Sequence, residues 1–256
     1  MADSRTDSDT GSQTGSRPAL LPTSRSAESK TSWFGLVATH LRKDLRIEWR
    51  SREATNAMLF FALLVVVMFS MAFDPTRATS REISGGVLAV ATLFASVSAL
   101  NQAWAREIRH QVLDALRMTP ADSAALFFAK ALANFLFVTF VQCVLGPVFF
   151  LFYNLHPLGD TWQLAVVIPL GTWALVANGT FFAAISMRSK SRELLLPLIL
   201  FPIFLPALLA MVWALRTILT GDGSDPQLMW IKVLTGYDIL FTTASLVLFD
   251  VVLGAE

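Results

Sequence analysis

Three histidines, one cysteine and an aspartate set in an apolar run are the side chains of this 256-residue chain best suited to chemistry, and they do not converge. His40, His110 and His156 fall on three separate segments. His156 stands in the short stretch Asn154-Leu155-His156-Pro157, where an imidazole could meet an iron centre or a carboxylate. A solvated loop histidine is the plainer expectation there. His40 and His110 sit among charged residues and read as surface groups. Cys143 is alone, which excludes disulfides and thiolate metal clusters within one chain, and its place in an apolar run reads as that of a small packing residue. Asp238, beside Tyr237, is the one acid that could serve a buried proton relay, although the entry to a membrane span, with the carboxylate kept wet, is the favoured reading. No G-x-x-x-x-G-K-[ST] loop is present, so the chain cannot hydrolyse ATP in the P-loop manner and any energy must come from a partner. No H-E-x-x-H, C-x-x-C-H or G-x-S-x-G occurs either, and protease, cytochrome and hydrolase readings lack their residues.

The elements that would hold these side chains are apolar and long. Hydrophobic residues make up 54% of the chain and charged ones 15%, with 20 Phe and 7 Trp, which is too apolar for an ordinary soluble domain. Residues 84–104 carry no charge, run into Arg106-Glu107-Ile108-Arg109-His110, and are followed by another apolar run at 131–153. A helix of about 20 apolar residues crosses the hydrocarbon core, so the chain reads as an all-α membrane protein. Its net charge of +1 gives no reason to expect a nucleic-acid partner.

Residues 1–32 are rich in Ser, Thr, Asp, Gly and Arg, lack a signal-peptide core, and read as a disordered cytoplasmic tail. Over 33–52, Trp33, Phe34, Val37, Leu41, Leu45 and Trp49 recur at helical spacing with charges between them, which predicts an amphipathic helix lying in the membrane interface. Residues 53–256 form the membrane domain, with six spans expected at 54–73, 84–105, 124–154, 161–187, 194–215 and about 233–253. Arg42, Lys43, Arg46, Arg50 and Arg52, then Arg106, Arg109 and Arg117, then Arg188, Lys190 and Arg192 fall on one side of this topology. Basic residues favour the cytoplasmic face, which puts both termini inside. No internal repeat is visible, which argues against an inverted-repeat transporter.

The link between the second and third spans, around 106–120, carries Val112, Leu113, Leu116 and Met118 at helix-compatible spacing and breaks at Thr119-Pro120. Such a short amphipathic helix either rests on lipid or docks into another protein's groove, and periodicity leaves both open. In the fifth span Pro197, Pro202 and Pro206 each remove a backbone donor. A bend there serves gating or static packing equally well.

Taken together, residues 33–256 resemble the six-span permeases of ABC-2-type exporters, and more closely the haem exporter protein B (CcmB) family of the cytochrome c maturation system. The resemblance rests on Arg106-Glu107, Leu113-Asp114, Leu116, Thr119-Pro120, the stretch 126–134 around Lys130, residues 191–206 with Glu193 and the three prolines, and the ending Leu248-Phe249-Asp250-Val251-Val252-Leu253. His110-Gln111 stands where that family would have an acidic residue followed by glycine, and the tail before Trp33 is extra. The resemblance implies a multi-pass protein of the bacterial inner membrane. It would be a non-catalytic subunit that pairs with a cytoplasmic ABC ATPase and works with a haem chaperone and further maturation proteins; closed twofold association, the commonest arrangement, predicts a homodimer in the complex. ATP would act through the partner, and haem would be the ligand handled. The 106–120 link would be the coupling helix, with Leu113 and Leu116 as apolar anchor, Glu107 as charged contact or fold support and Pro120 as the stop between lever and span. Alternatives are export of a lipid, polysaccharide or drug, and a scaffold that transports nothing; a membrane enzyme is the weakest reading, because no catalytic set converges.

Overall fold

Backbone polar groups placed in hydrocarbon must bond within their own segment, so apolar stretches of this length have to be helical. In a computed structural model, which describes residues 33–51, 53–73, 78–109, 123–154, 161–186, 192–221 and 226–254, they are. The helices are α1 (Trp33–Ser51), α2 (Glu53–Ala72), α3 (Ala78–Arg109), α4 (Ser123–Phe152), α5 (Leu164–Ser186, entered through the 3-10 turn Thr161–Gln163), α6 (Arg192–Thr220) and α7 (Pro226–Gly254). Six of them, α2 to α7, are long and apolar enough to cross a membrane, over Thr55–Ala72, Glu82–Ala103, Ser123–Phe152, Leu164–Ser186, Leu198–Thr220 and Leu228–Phe249. Two ends show why they stop. Asn154 after α4 and Gly221 after α6 take positive φ values of 44° and 74°, and the Gly221 amide closes back onto the Thr217 carbonyl at 3.2 Å. Both residue types tolerate the left-handed conformation that terminates a helix.

The two middle helices carry the bundle. α3 and α5 are buried over 67% of their spans, against 22% for α2 and 17% for α7, which lie at the rims. Lipid removes the hydrophobic drive between helices, so association rests on close packing and internal hydrogen bonds. Small residues supply the first. α3 buries Ala89, Ala91, Ala95 and Ala99, and α5 buries Ala174, Ala177, Ala183 and Ala184. At Gly85 of α3 an added Cβ would stand 2.8 Å from the Arg216 backbone nitrogen and 3.1 Å from the Val212 carbonyl of α6. No side chain can yield at that crossing, because the opposing atoms are main chain.

At the C-terminal end of α4, Tyr153 is fully buried, stacks on Phe149 with ring centroids 4.7 Å apart, and donates its hydroxyl to the Val66 carbonyl of α2 at 3.5 Å. At the other end, α1 packs on α4 through Val37, Ala125 and Ala129, with Trp33 against Phe128 at 5.8 Å.

Three sequence expectations are altered. Cys143 lies in α4 as expected, but it is exposed on the outside of the bundle and so is not a buried packing residue. His40 is half-buried rather than a surface group. The sixth span begins earlier than 233, because α7 starts at Pro226. Proline is well placed there, since a first helical residue needs no amide donor. The tail 1–32, His110 and His156 lie outside the described residues.

Candidate functional site

The polar side chains of the spans gather on α5. Gln142 of α4 donates through Nε2 to Thr92 Oγ1 of α3 at 3.0 Å and to Thr172 Oγ1 of α5 at 2.9 Å. The Thr172 hydroxyl lies 3.0 Å from Gln142 Oε1 and 2.7 Å from the Ile168 carbonyl, and its one proton goes to either. One amide thus ties three helices together. Further along α5, Asn178 Nδ2 donates to the Ala174 carbonyl at 2.7 Å and to the Tyr237 hydroxyl of α7 at 3.3 Å. That hydroxyl in turn donates to the Ile203 carbonyl of α6 at 2.7 Å. Trp173 Nε1 donates to Thr242 Oγ1 of α7 at 3.0 Å, and Asn134 Nδ2 of α4 to Thr180 Oγ1 at 3.4 Å. Each such bond is worth about 0.6–2 kcal/mol in lipid, enough to fix register and too little to forbid rearrangement.

Asp238 brings a carboxylate to this seam. Its side chain is only 8% exposed, and neither carboxylate oxygen has a hydrogen-bond partner among the described residues; Asn178 Oδ1 and Ser96 Oγ share that condition. Counting from Pro226, Asp238 stands roughly 18 Å along α7. It is therefore buried mid-helix, and the wet span entry expected from the sequence is corrected by the earlier start of α7. Thr235, Asp238, Thr242 and Ser245 follow one another at steps of three and four, so they form a polar stripe on α7, and the Thr242 bond to Trp173 turns this stripe towards α5. An unpaired acid inside a span is costly and marks function by default.

A second buried charge sits apart from the seam. Lys130 of α4 is 5% exposed and meets Asp44 of α1 at 3.7 Å. Asp44 also pairs with its neighbour Lys43 at 3.1 Å.

Of the sequence-derived site residues, Glu107 lies in the last turns of α3, whereas Leu113, Leu116 and Pro120 lie outside the described residues, in the link from Arg109 to Ser123. α6 runs through Pro197, Pro202 and Pro206 as one helix, with Pro202 and Pro206 exposed. Sequence reading passed over Gln142, Asn178 and the burial of Lys130. The available signal was a lone polar or charged residue within an apolar run. Among the described residues no group of three His, Cys, Asp or Glu is placed to hold a metal.

Six span-length helices joined by a buried polar seam define a multi-pass α-helical membrane protein. The family model described as CcmB protein matches residues 36–252, and the chain belongs to that family. It is similar to the Heme exporter protein B of Pseudomonas aeruginosa, 30% identical over 193 residues, covering 75% of this chain and 86% of that one. Against the Heme exporter protein B of Rhodobacter capsulatus it is 31% identical over 169 residues, covering 66% and 77%. The Heme exporter protein B of Paracoccus denitrificans is 29% identical over 187 residues, covering 73% and 84%.

Proposed function

We propose that this chain is the membrane permease subunit of an ATP-driven complex that handles haem for cytochrome c maturation. The observation that carries the reading is membership of the CcmB family over residues 36–252, six candidate spans included. The chain has no phosphate loop, so ATP hydrolysis belongs to a cytoplasmic ABC ATPase. Two copies of this chain and two of the ATPase form the complex, since closed twofold association is the commonest arrangement. The protein lies in the bacterial inner membrane with both termini cytoplasmic, in keeping with the clusters at Arg42–Arg52, Arg106–Arg117 and Arg188–Arg192. α1 lies along the cytoplasmic interface as the elbow before the first span.

In the proposed cycle, nucleotide-driven closure of the ATPase pair pushes on the 106–120 link. That link connects α3 to α4, and the displacement reaches α5 through Gln142, Thr92 and Thr172. The weak bonds of the α5–α7 seam are the place where two packings of the spans can interconvert. Asp238 lies where the seam parts. Pro197, Pro202 and Pro206 leave the carbonyls one turn before them without a helical donor, and this lets α6 bend as the seam opens. The same complex releases a haem-loaded chaperone outside the membrane and works with further maturation proteins.

The pairing is tested by purifying the tagged full-length chain from membranes of its host. An ABC ATPase is expected to co-purify at equal copy number, with ATP hydrolysis that the isolated chain lacks. Recovery of the chain with haem-handling proteins but no ATPase would replace the permease with a scaffold.

A further inference from the structure

The charges of α1 are sorted by side. The two acids point inwards: Glu48 is 7% exposed, and Asp44 meets the buried Lys130 of α4. Arg42 and Arg46 point outwards, are exposed, and have no ion-pair partner among the described residues. They stand four residues apart on one helix face. Like charges at that spacing repel, so a helix that aligns them needs anions opposite. Two aromatic side chains flank this strip, Phe34 at 76% and Trp49 at 70% exposure. Trp49 packs on Phe140, with ring centroids 5.7 Å apart, and Phe140 lies on the outward surface of α4 inside a candidate span. The basic strip is therefore continuous with surface that faces lipid.

We propose that the outward face of α1, formed by Phe34, Arg42, Arg46 and Trp49, binds the anionic headgroups of phospholipids. Guanidinium groups match phosphate in charge and fork geometry, and an amphipathic indole suits the headgroup boundary. The inward acids fit the same arrangement: Lys130 engages Asp44 on the α4 side, which leaves the outer strip purely cationic and gives α1 a fixed rotation on the membrane. The inference rests on α1 lying at the interface, and it is independent of what the complex transports.

The test uses the full-length chain reconstituted in nanodiscs of equimolar phosphatidylcholine and phosphatidylglycerol, then released and weighed by native mass spectrometry. Wild type is expected to retain phosphatidylglycerol in preference to phosphatidylcholine. The double variant Arg42→Gln/Arg46→Gln should lose about threefold or more of that preference, each charge near an anionic surface contributing a several-fold factor. Arg42→Lys/Arg46→Lys should keep most of it, and Lys232→Gln, which removes an exposed cation on α7, should keep all of it. Unchanged retention in the Gln double variant would overturn the proposal, as would equal loss of both lipids. Unchanged lipid retention together with loss of a co-purifying ATPase would show a protein-docking face instead, and would overturn it too. Haem handling does not enter this readout, so failure of the haem assignment leaves the result standing.

Discussion

Leu116→Asp is expected to cut covalent haem attachment to c-type cytochromes at least tenfold while the chain remains in the membrane at its normal level. Leu116 stands in the link between α3 and α4, outside the described residues, where the spacing of Val112, Leu113, Leu116 and Met118 in the sequence predicts an amphipathic helix. If Leu116 and Leu113 anchor it in a groove of the ATPase, an aspartate must desolvate its carboxylate without a partner, at about 2 kcal/mol or more. Association and coupling then fail together. If the two leucines only rest on lipid headgroups, a solvated aspartate is tolerated and little changes. Membrane level by immunoblot, ATPase co-purification and haem staining read the three consequences separately. Full association with full function in the variant would remove Leu116 from the coupling contact.

Asp238→Leu carries the second large effect, and its value lies in two opposite signs. Asp238 is 8% exposed and its carboxylate has no hydrogen-bond partner among the described residues, so removing it forfeits no hydrogen bond to them. A polar group buried without a hydrogen bond costs about 1–3 kcal/mol, a cost that an apolar replacement relieves. Thermal stability in detergent should therefore hold or rise. Maturation should fall at least tenfold, because a seam that must part around a polar group is sealed by an apolar one. Loss of stability instead, with function falling only in proportion to protein level, would make Asp238 a structural residue with partners in the complex. Asp238→Asn separates polarity from charge: recovery of function in that variant assigns the role to hydrogen bonding.

What could be read directly from the sequence was set by the bilayer. Length and apolarity force helices, so the six spans and the amphipathic helix before them were legible from residues 33–256. Ends were legible only where local chemistry was read as chemistry. Asp238 was taken as a boundary, although Asp225-Pro226 is the stronger start signal in the sequence, a residue type favoured before a helix followed by a proline. The seam was not legible for a different reason. A lone Gln142 or Asn178 in an apolar helix announces that it needs a partner, but which helix supplies one depends on the rotation of the whole bundle. The same holds for α1. Its apolar spacing was plain, whereas the inward turn of Asp44 depends on Lys130, 86 residues further along the chain. Cys143 shows the converse error, since an apolar neighbourhood along the chain was read as burial and the residue lies on the outer face.

Haem staining of covalent c-type cytochromes, in a strain lacking this chain and in the same strain carrying it again, tests the proposed function most directly. Selective loss of the c-type bands is expected, with other haem proteins unchanged and the bands restored on complementation. Normal c-type bands in the deletion strain, with no second copy of the gene present, would contradict a role in cytochrome c maturation and leave a six-span permease with another cargo.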